Sequence, residues 1–318
     1  MQKKSEIFVV ALLLSLPFWL GANILGKNIG DFLVWKEFGN NSQVLIASVN
    51  DISQPKIDEK LKPVRSWDIP DFQIQAVSAI SVLVDENKQN EKILFSKNSD
   101  LKLPMASLTK LMTALIVIET YDPSLTIEIS KEAISQEGDI GQLKISEAFP
   151  VKDLLHMLLI ESSNDAAYSL SGVIGTGEFV ALMNLEANNL NLVNTKFANP
   201  AGLDDKNNYS TSKDLANLTT YLLNYPVLWD VLAKKDFDLY TPEGIFHHKL
   251  TNTNELLDRM PNIIGGKTGY TEQAHGCLML VTKPPKGEGY LISIILGSPD
   301  RFGEMEKLVK WTAEAYQW

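Results

Sequence analysis

Pro104-Met105-Ala106-Ser107-Leu108-Thr109-Lys110-Leu111-Met112-Thr113-Ala114-Leu115 sets a serine and a lysine three residues apart where a helix begins. Side chains at i and i+3 share a helix face, so the Ser107 hydroxyl and the Lys110 amine come within hydrogen-bond reach. The pair reads as a nucleophile and its base. Lysine acts as a base only after losing its proton, which a desolvating site or a second cation beside it promotes. Average usage of the two residues predicts roughly one or two chance S-x-x-K matches in a chain of this length, so the pair needs partners elsewhere.

Around this stretch the chain alternates between strand and helix patterns. Upstream, Ala79-Ile80-Ser81-Val82-Leu83-Val84-Asp85 and Lys92-Ile93-Leu94-Phe95-Ser96 flank a polar turn and read as a β-hairpin. Downstream come a strand at Leu125 to Ile129 and a helix at Val151 to Ile160. The polar cluster Glu161-Ser162-Ser163-Asn164-Asp165 stops that helix and can cap the next. Further helices are expected at Glu178 to Leu190 and Asp214 to Leu223. Strands return at Phe237 to Tyr240, Ile263 to Tyr270, Cys277 to Val281 and Leu291 to Leu296, and a helix from Glu304 to about Tyr316 closes the chain. Helices placed between early and late strands predict an α+β domain whose sheet is assembled from both ends of the chain.

Composition narrows the function classes. The chain has 318 residues, 45% of them hydrophobic, enough for one large core or two modest ones. With 29 basic against 39 acidic residues its net charge is −10, and no basic block could track a phosphate backbone. Nucleic-acid binding is not expected. Cys277 is the single cysteine, and His156, His247, His248 and His275 show no metal-ligand spacing, so neither a disulfide nor a zinc centre is expected. No cofactor is implied.

Residues Ile7 to Leu25 are almost wholly apolar and follow Lys3 and Lys4. About 19 apolar residues just suffice to span a bilayer, and Leu20-Gly21-Ala22 is a poor cleavage site. Residues 1–26 therefore read as a membrane anchor or signal segment, with the lysines inside and the bulk of the chain outside. Residues 27–72, punctuated by Asn40-Asn41-Ser42, Pro55, Pro63 and Pro70, read as a polar tether with a short strand considered at Val44 to Ala47. Residues 73–318 form the expected functional domain.

Three motifs stand in order: Ser107-x-x-Lys110, Ser162-x-Asn164 and Lys267-Thr268-Gly269. A chance K-T-G has odds on the order of one in twenty-five, and the ordered set is rarer. Such a set marks serine enzymes that react with penicillin. The sequence resembles the D-alanyl-D-alanine carboxypeptidase family, the low-molecular-mass penicillin-binding proteins. The likeness runs from Ile80 to Trp311 and includes Leu158 to Ala167, Asn199-Pro200-Ala201-Gly202-Leu203, Tyr209-Ser210-Thr211 and Gly266-Lys267-Thr268-Gly269-Tyr270-Thr271. It implies an antiparallel sheet flanked by helices, with a helical subdomain across the cleft.

The resemblance also implies roles. Ser107 would attack the penultimate D-alanine carbonyl with Lys110 as base, and Ser162 would pass the proton to the departing amine. Asn164 would hold the substrate amide or Lys110. Lys267 would disfavour protonated Lys110 and attract the terminal carboxylate, helped by Thr268, Gly269 and Arg301. For Arg301 a plain surface charge is an equal reading. The backbone N–H groups of Ser107 and Tyr270 would form the oxyanion hole. Gly265, Gly266 and Gly269 would leave room for an extended peptide along the strand edge. Two residues depart from the family pattern, His275 where a small residue is expected and Ser146 where glycine is common.

The implied partners are peptidoglycan stem peptides ending in D-Ala-D-Ala and β-lactams as covalent inhibitors, at the extracytoplasmic face of the bacterial membrane. A D,D-endopeptidase uses the same chemistry. A class A β-lactamase would need a deacylating glutamate, for which Glu186 is the nearest and poorly placed candidate. An idle peptidoglycan-binding module would not need Lys110 beside Ser107.

Overall fold

A computed structural model of the chain describes residues 63–136 and 142–318. The segment at 1–26, the strand considered at Val44 to Ala47 and most of the proposed tether lie outside the described residues. In chain order the strands are β1 (Val64–Arg65), β2 (Ser78–Val84), β3 (Glu91–Lys97), β4 (Thr126–Glu128), β5 (Ala148–Pro150), β6 (Asp236–Tyr240), β7 (Phe246–Thr251), β8 (Ile263–Thr271), β9 (His275–Thr282), β10 (Tyr290–Ser298) and β11 (Tyr316–Gln317). The α-helices are α1 (Lys110–Thr120), α2 (Lys131–Ile134), α3 (Val151–His156), α4 (Asn164–Gly172), α5 (Thr176–Asn189), α6 (Ser212–Leu222), α7 (Pro226–Leu232) and α8 (Arg301–Glu314).

Five strands form an antiparallel sheet in the order β3-β2-β10-β9-β8. Its side chains alternate between two cores, as the two-residue repeat of a strand requires. Ile80, Val82, Cys277, Met279, Val281, Ile292 and Ile294 face the helical layer of α1 and α6. Ala79, Leu278, Leu280, Leu291 and Ile295 face α8 through Met305, Leu308 and Val309. Burial on both faces explains why β9 and β10 read as continuous apolar runs. Two polar side chains of the interior are paired: Ser81 Oγ and Ser293 Oγ meet at 3.1 Å inside the sheet. The α+β fold with a sheet built from both ends of the chain is as expected from the sequence.

Four local features differ from the sequence reading. Ser107 stands in a 3₁₀ turn, Ala106–Thr109, and α1 starts only at Lys110. Side chains at i and i+3 eclipse in a 3₁₀ turn, so the Ser107–Lys110 pairing survives the change. The Phe237 to Tyr240 strand joins β7 in a separate two-stranded ribbon and not the main sheet. Residues 63–72, assigned to the tether because of their prolines, pack on the domain: β1 pairs with β11, and Phe72 stacks on Trp311 at 6.1 Å. Finally, α3 runs into a π turn, Met157–Glu161, and Ser162 after it has a left-handed backbone with φ 67°. His275 and Ser146, the two departures from the family pattern, also have positive φ, 53° and 66°. Small residues, above all glycine, suit such backbones.

Candidate active site

The capping alternative for the Ser162 to Asp165 cluster is resolved by Ser163. Its Oγ accepts from Ala166 N at 3.1 Å as the N-cap of α4, while the Oγ of Ser162 faces Lys267 and the amide of Asn164 faces Lys110. One residue of the cluster caps the helix, and its neighbours turn into the site.

Lys110 is fully buried at the start of α1. Its Nζ lies 2.9 Å from Ser107 Oγ, 2.7 Å from Asn164 Oδ1 and 2.7 Å from the Ala201 carbonyl. A neutral amine can donate to the two carbonyl-type oxygens and accept from the Ser107 hydroxyl. After taking that proton it donates to all its neighbours. Both protonation states are therefore satisfied in one geometry. Burial drives the Lys110 amine well below its ordinary range, and the charge of Lys267 adds to the effect. The sequence reading named both causes, and desolvation is the larger.

Lys267, on edge strand β8, is equally buried, and its Nζ donates to Ser162 Oγ at 2.8 Å and to the Thr268 carbonyl at 3.2 Å. Its ammonium is held at about 7, by burial first and by the nearby Arg301 charge second. Thr268 Oγ1 lies 2.5 Å from Thr253 Oγ1, and Arg301 Nη1 donates to the Gly269 carbonyl at 2.9 Å. Arg301 is thus half-buried at the end of the motif strand, not a free surface charge. Tyr270 follows on β8 with its side chain exposed.

Two further strings support the nucleophile turn. Asn199 Oδ1 accepts from the N–H groups of Gly202 and Leu203 at 2.7 and 3.0 Å, and Thr113 Oγ1 donates to the Pro200 carbonyl at 2.6 Å. These bonds aim the Ala201 carbonyl at Lys110. Ser210 pairs its backbone with Leu103, and Thr211 Oγ1 caps α6, so Tyr209-Ser210-Thr211 anchors the chain entering the turn. Side-chain reasoning missed Ala201 because the acceptor is a main-chain oxygen. The resemblance across Asn199 to Leu203 was the available signal.

The glycines of β8 have a different cause from the one expected. A Cβ on Gly265 would stand 3.0 Å from Leu232 Cβ, one on Gly266 2.8 Å from Asn254 Nδ2, and one on Gly269 3.0 Å from Ser107 N. The room they leave is filled by the protein itself. At Gly269 that closeness sets β8 against the nucleophile turn.

The lysine pair ties stability to pH. Unfolded lysine titrates near 10.4, whereas Lys267 in the fold loses its proton at about 7. Between these values the unfolded chain binds a proton that the folded chain lacks, so stability rises with pH. Below about 7 both states are protonated and this rise is absent. Cys277, whose thiol burial pushes up to about 12, works in the opposite direction above its unfolded value of about 8.5. We expect the melting temperature to climb from pH 7 to about pH 8.5. Lys267→Met should flatten the part of the climb due to Lys267; an unchanged slope in that variant would contradict the assignment.

A buried lysine held against a serine, at the open edge of an antiparallel sheet with a helical layer, is the frame of the serine D,D-peptidases that react with penicillin. The comparisons agree. The Streptomyces K15 DD-transpeptidase superposes with a TM-score of 0.70 at 25% identity, covering 77% of this chain and 99% of that one. The D-alanyl-D-alanine carboxypeptidase DacF of Bacillus subtilis is 32% identical over 248 residues, 74% of this chain and 62% of its own length. A D-alanyl-D-alanine endopeptidase of Pseudomonas aeruginosa is 32% identical over 249 residues, 76% of this chain and 78% of its own. The sequence profile of the D-alanyl-D-alanine carboxypeptidase family matches residues 65–300, and the chain belongs to that family.

Proposed function

We propose that this chain is a serine D-alanyl-D-alanine carboxypeptidase that trims the terminal D-alanine from peptidoglycan stem peptides. The observation that carries the reading is the Lys110 amine, buried with no ion-pairing carboxylate among the described residues and bonded to Ser107, Asn164 and Ala201. Lys110 takes the Ser107 proton as Oγ attacks the penultimate D-alanine carbonyl. The Asn164 and Ala201 oxygens then stabilise the ammonium that forms. The tetrahedral oxyanion is received by the backbone N–H groups of Ser107 and Tyr270. As the C–N bond breaks, Ser162 hands a proton to the departing amine and is resupplied from Lys267. The substrate carboxylate is drawn by Lys267, Thr268 and Arg301, with Thr253 orienting the Thr268 hydroxyl. Water then attacks the acyl carbonyl, its proton passing through Ser162 to Lys267, and the ester C–O bond breaks as Lys110 returns its proton to Ser107 Oγ.

A β-lactam follows the same path until its lactam C–N bond opens. Its amine stays tethered to the acyl group, which accounts for covalent inhibition. Glu186 accepts from Asn189 Nδ2 at 2.9 Å on its own helix α5, an arrangement that gives a deacylating β-lactamase role no support. The apolar stretch Ile7 to Leu25 supports placement at the extracytoplasmic face of the membrane. The decisive experiment combines fluorescent-penicillin labelling with D-alanine release from a stem pentapeptide. We expect both, and folded protein showing neither would refute the proposal. The endopeptidase relative supports a second reading, cleavage of cross-linked muropeptides, which product analysis on dimeric muropeptides would distinguish.

A further inference from the structure

Four titratable side chains outside the three motifs form a line ending beside Ser162. His247 Nε2 lies 3.4 Å from Glu147 Oε1, His247 Nδ1 lies 2.5 Å from His248 Nδ1, and His248 Nε2 lies 3.2 Å from Glu161 Oε2. All four are largely withdrawn from solvent, with side chains between 9% and 24% exposed. The outer end is fixed, because Glu147 Oε2 accepts from Lys144 N at 2.8 Å and Phe149 packs edge-on against His247. At the inner end Glu161 closes the π turn, and the next residue is Ser162.

Two features at that inner end are unfavourable in themselves. Ser162 has φ 67°, a left-handed backbone that costs a residue with a Cβ about 1–2 kcal/mol. Glu161 Oε1 is buried without a hydrogen-bond partner among the described residues. A strained residue persists only where its surroundings over-determine it. Here the Glu161 side chain pins the backbone from one side, and the Thr253 N–H bond to the Ile160 carbonyl at 3.2 Å pins it from the other. Thr253 also meets Thr268. The segment that carries the two histidines therefore fastens the Ser162 turn to the Lys267 strand.

Proton counting gives the line a charge state. Its three contacts need three N–H groups between the two imidazoles, one more than two neutral rings carry. With both carboxylates ionised, the pair satisfies all three contacts only when it holds one positive charge. Losing that proton empties one contact, and gaining another sets two N–H groups against each other at 2.5 Å. His248 is a charge that bears on Glu161.

We propose that Glu147, His247, His248 and Glu161 form a positioning network that holds Ser162 against Lys267, so that acylation depends on the single protonation of the histidine pair. The network rests on the function proposed above, and the test separates the two. Penicillin acylation rates are measured from pH 5 to 9 for the parent chain, His248→Leu and His248→Gln, with Lys110 and Lys267 intact in each. His248→Leu should acylate roughly tenfold more slowly at neutral pH, the effect of losing one charge-assisted hydrogen bond. His248→Gln keeps an N–H donor for Glu161, so it should recover most of that rate while losing the part of the parental pH dependence that the histidine pair supplies.

A parental rate in the leucine variant, or a parental pH profile in the glutamine variant, overturns the proposal. If the leucine variant fails to fold, the glutamine profile decides. Histidine-detected NMR reads the network without turnover. His247 and His248 should share one N–H between their Nδ1 atoms in the parent and lose that shared proton in His248→Gln, and its absence in the parent overturns the proposal. A parent that takes no penicillin but shows the shared proton would refute the carboxypeptidase reading and leave the network standing.

Discussion

Lys110→Met should lower the rate of penicillin acylation by about 10² to 10⁴, the range lost with a positioned general base. Methionine matches the lysine stem and fills the same buried space. What disappears is the amine between Ser107 Oγ, Asn164 Oδ1 and the Ala201 carbonyl. Each carbonyl-type oxygen then loses the Lys110 donor, at a cost of about 1–3 kcal/mol, offset by removal of a buried polar group. The variant should therefore fold with a modestly lowered melting temperature. Ser107→Ala should abolish labelling altogether. The double variant should be no worse than Ser107→Ala alone, because the two residues act as one unit. Stopped-flow acylation with a fluorescent penicillin measures the rates. If Lys110→Met acylates within tenfold of the parent, another group is the base.

The residues of the candidate site were readable where their chemistry sits in side chains. Ser107 and Lys110 share a face in either helix type, so the 3₁₀ turn that replaced the expected α-helix left their meeting intact. Ser162, Asn164 and Lys267 were found as members of an ordered motif set. What stayed hidden acts through the main chain or through distance in sequence. The Ala201 carbonyl and the positive φ of Ala106, 48°, leave no mark on residue type. Thr253 reaches Thr268 by a ribbon whose second strand, Phe246–Thr251, contains His247, His248 and Lys249 and lacks an apolar alternation. The central strands were legible because both faces are buried; of the ribbon, β6 was read at Phe237 to Tyr240 and the polar β7 was not.

Residues 63–72 illustrate the same limit. Pro63 and Pro70 are ordinary signs of a linker. Yet Trp311 Nε1 donates to the Pro70 carbonyl at 2.8 Å from 241 residues away, so the stretch is held by a side chain far along the sequence, in addition to its internal bond from Arg65 Nη2 to Ile69 O at 2.7 Å. Composition records how a segment behaves alone. Motifs fixed the chemistry to look for, and only the fold could supply the supports.

Gly202→Ala should be the most damaging substitution among those that leave every motif side chain in place. At φ 90° the backbone of Gly202 is one that residues with a Cβ rarely adopt, and the added carbon would stand 2.0 Å from the Ala106 carbonyl oxygen and 2.9 Å from Ser107 N. Neither neighbour is a flexible side chain that could swing away. Relief requires moving the Ala106–Ser107 peptide, and with it the serine, the oxyanion N–H and the turn that Gly269 abuts. The Ala201 carbonyl would shift as well, since Asn199 holds it together with Gly202. We expect a loss of about 3 kcal/mol or more from overpacking and backbone strain combined, and penicillin acylation slowed at least as strongly as in Lys110→Met. Gly177→Ala is the matched control: it lies in α5 with nothing within 4 Å of the new carbon, and helix propensity predicts about 0.5–1 kcal/mol of added stability. Thermal melts and acylation rates on both variants decide the matter. Should Gly202→Ala melt and acylate like the parent, the turn is not braced by this loop, and the support assigned to Asn199 and Ala201 fails with it.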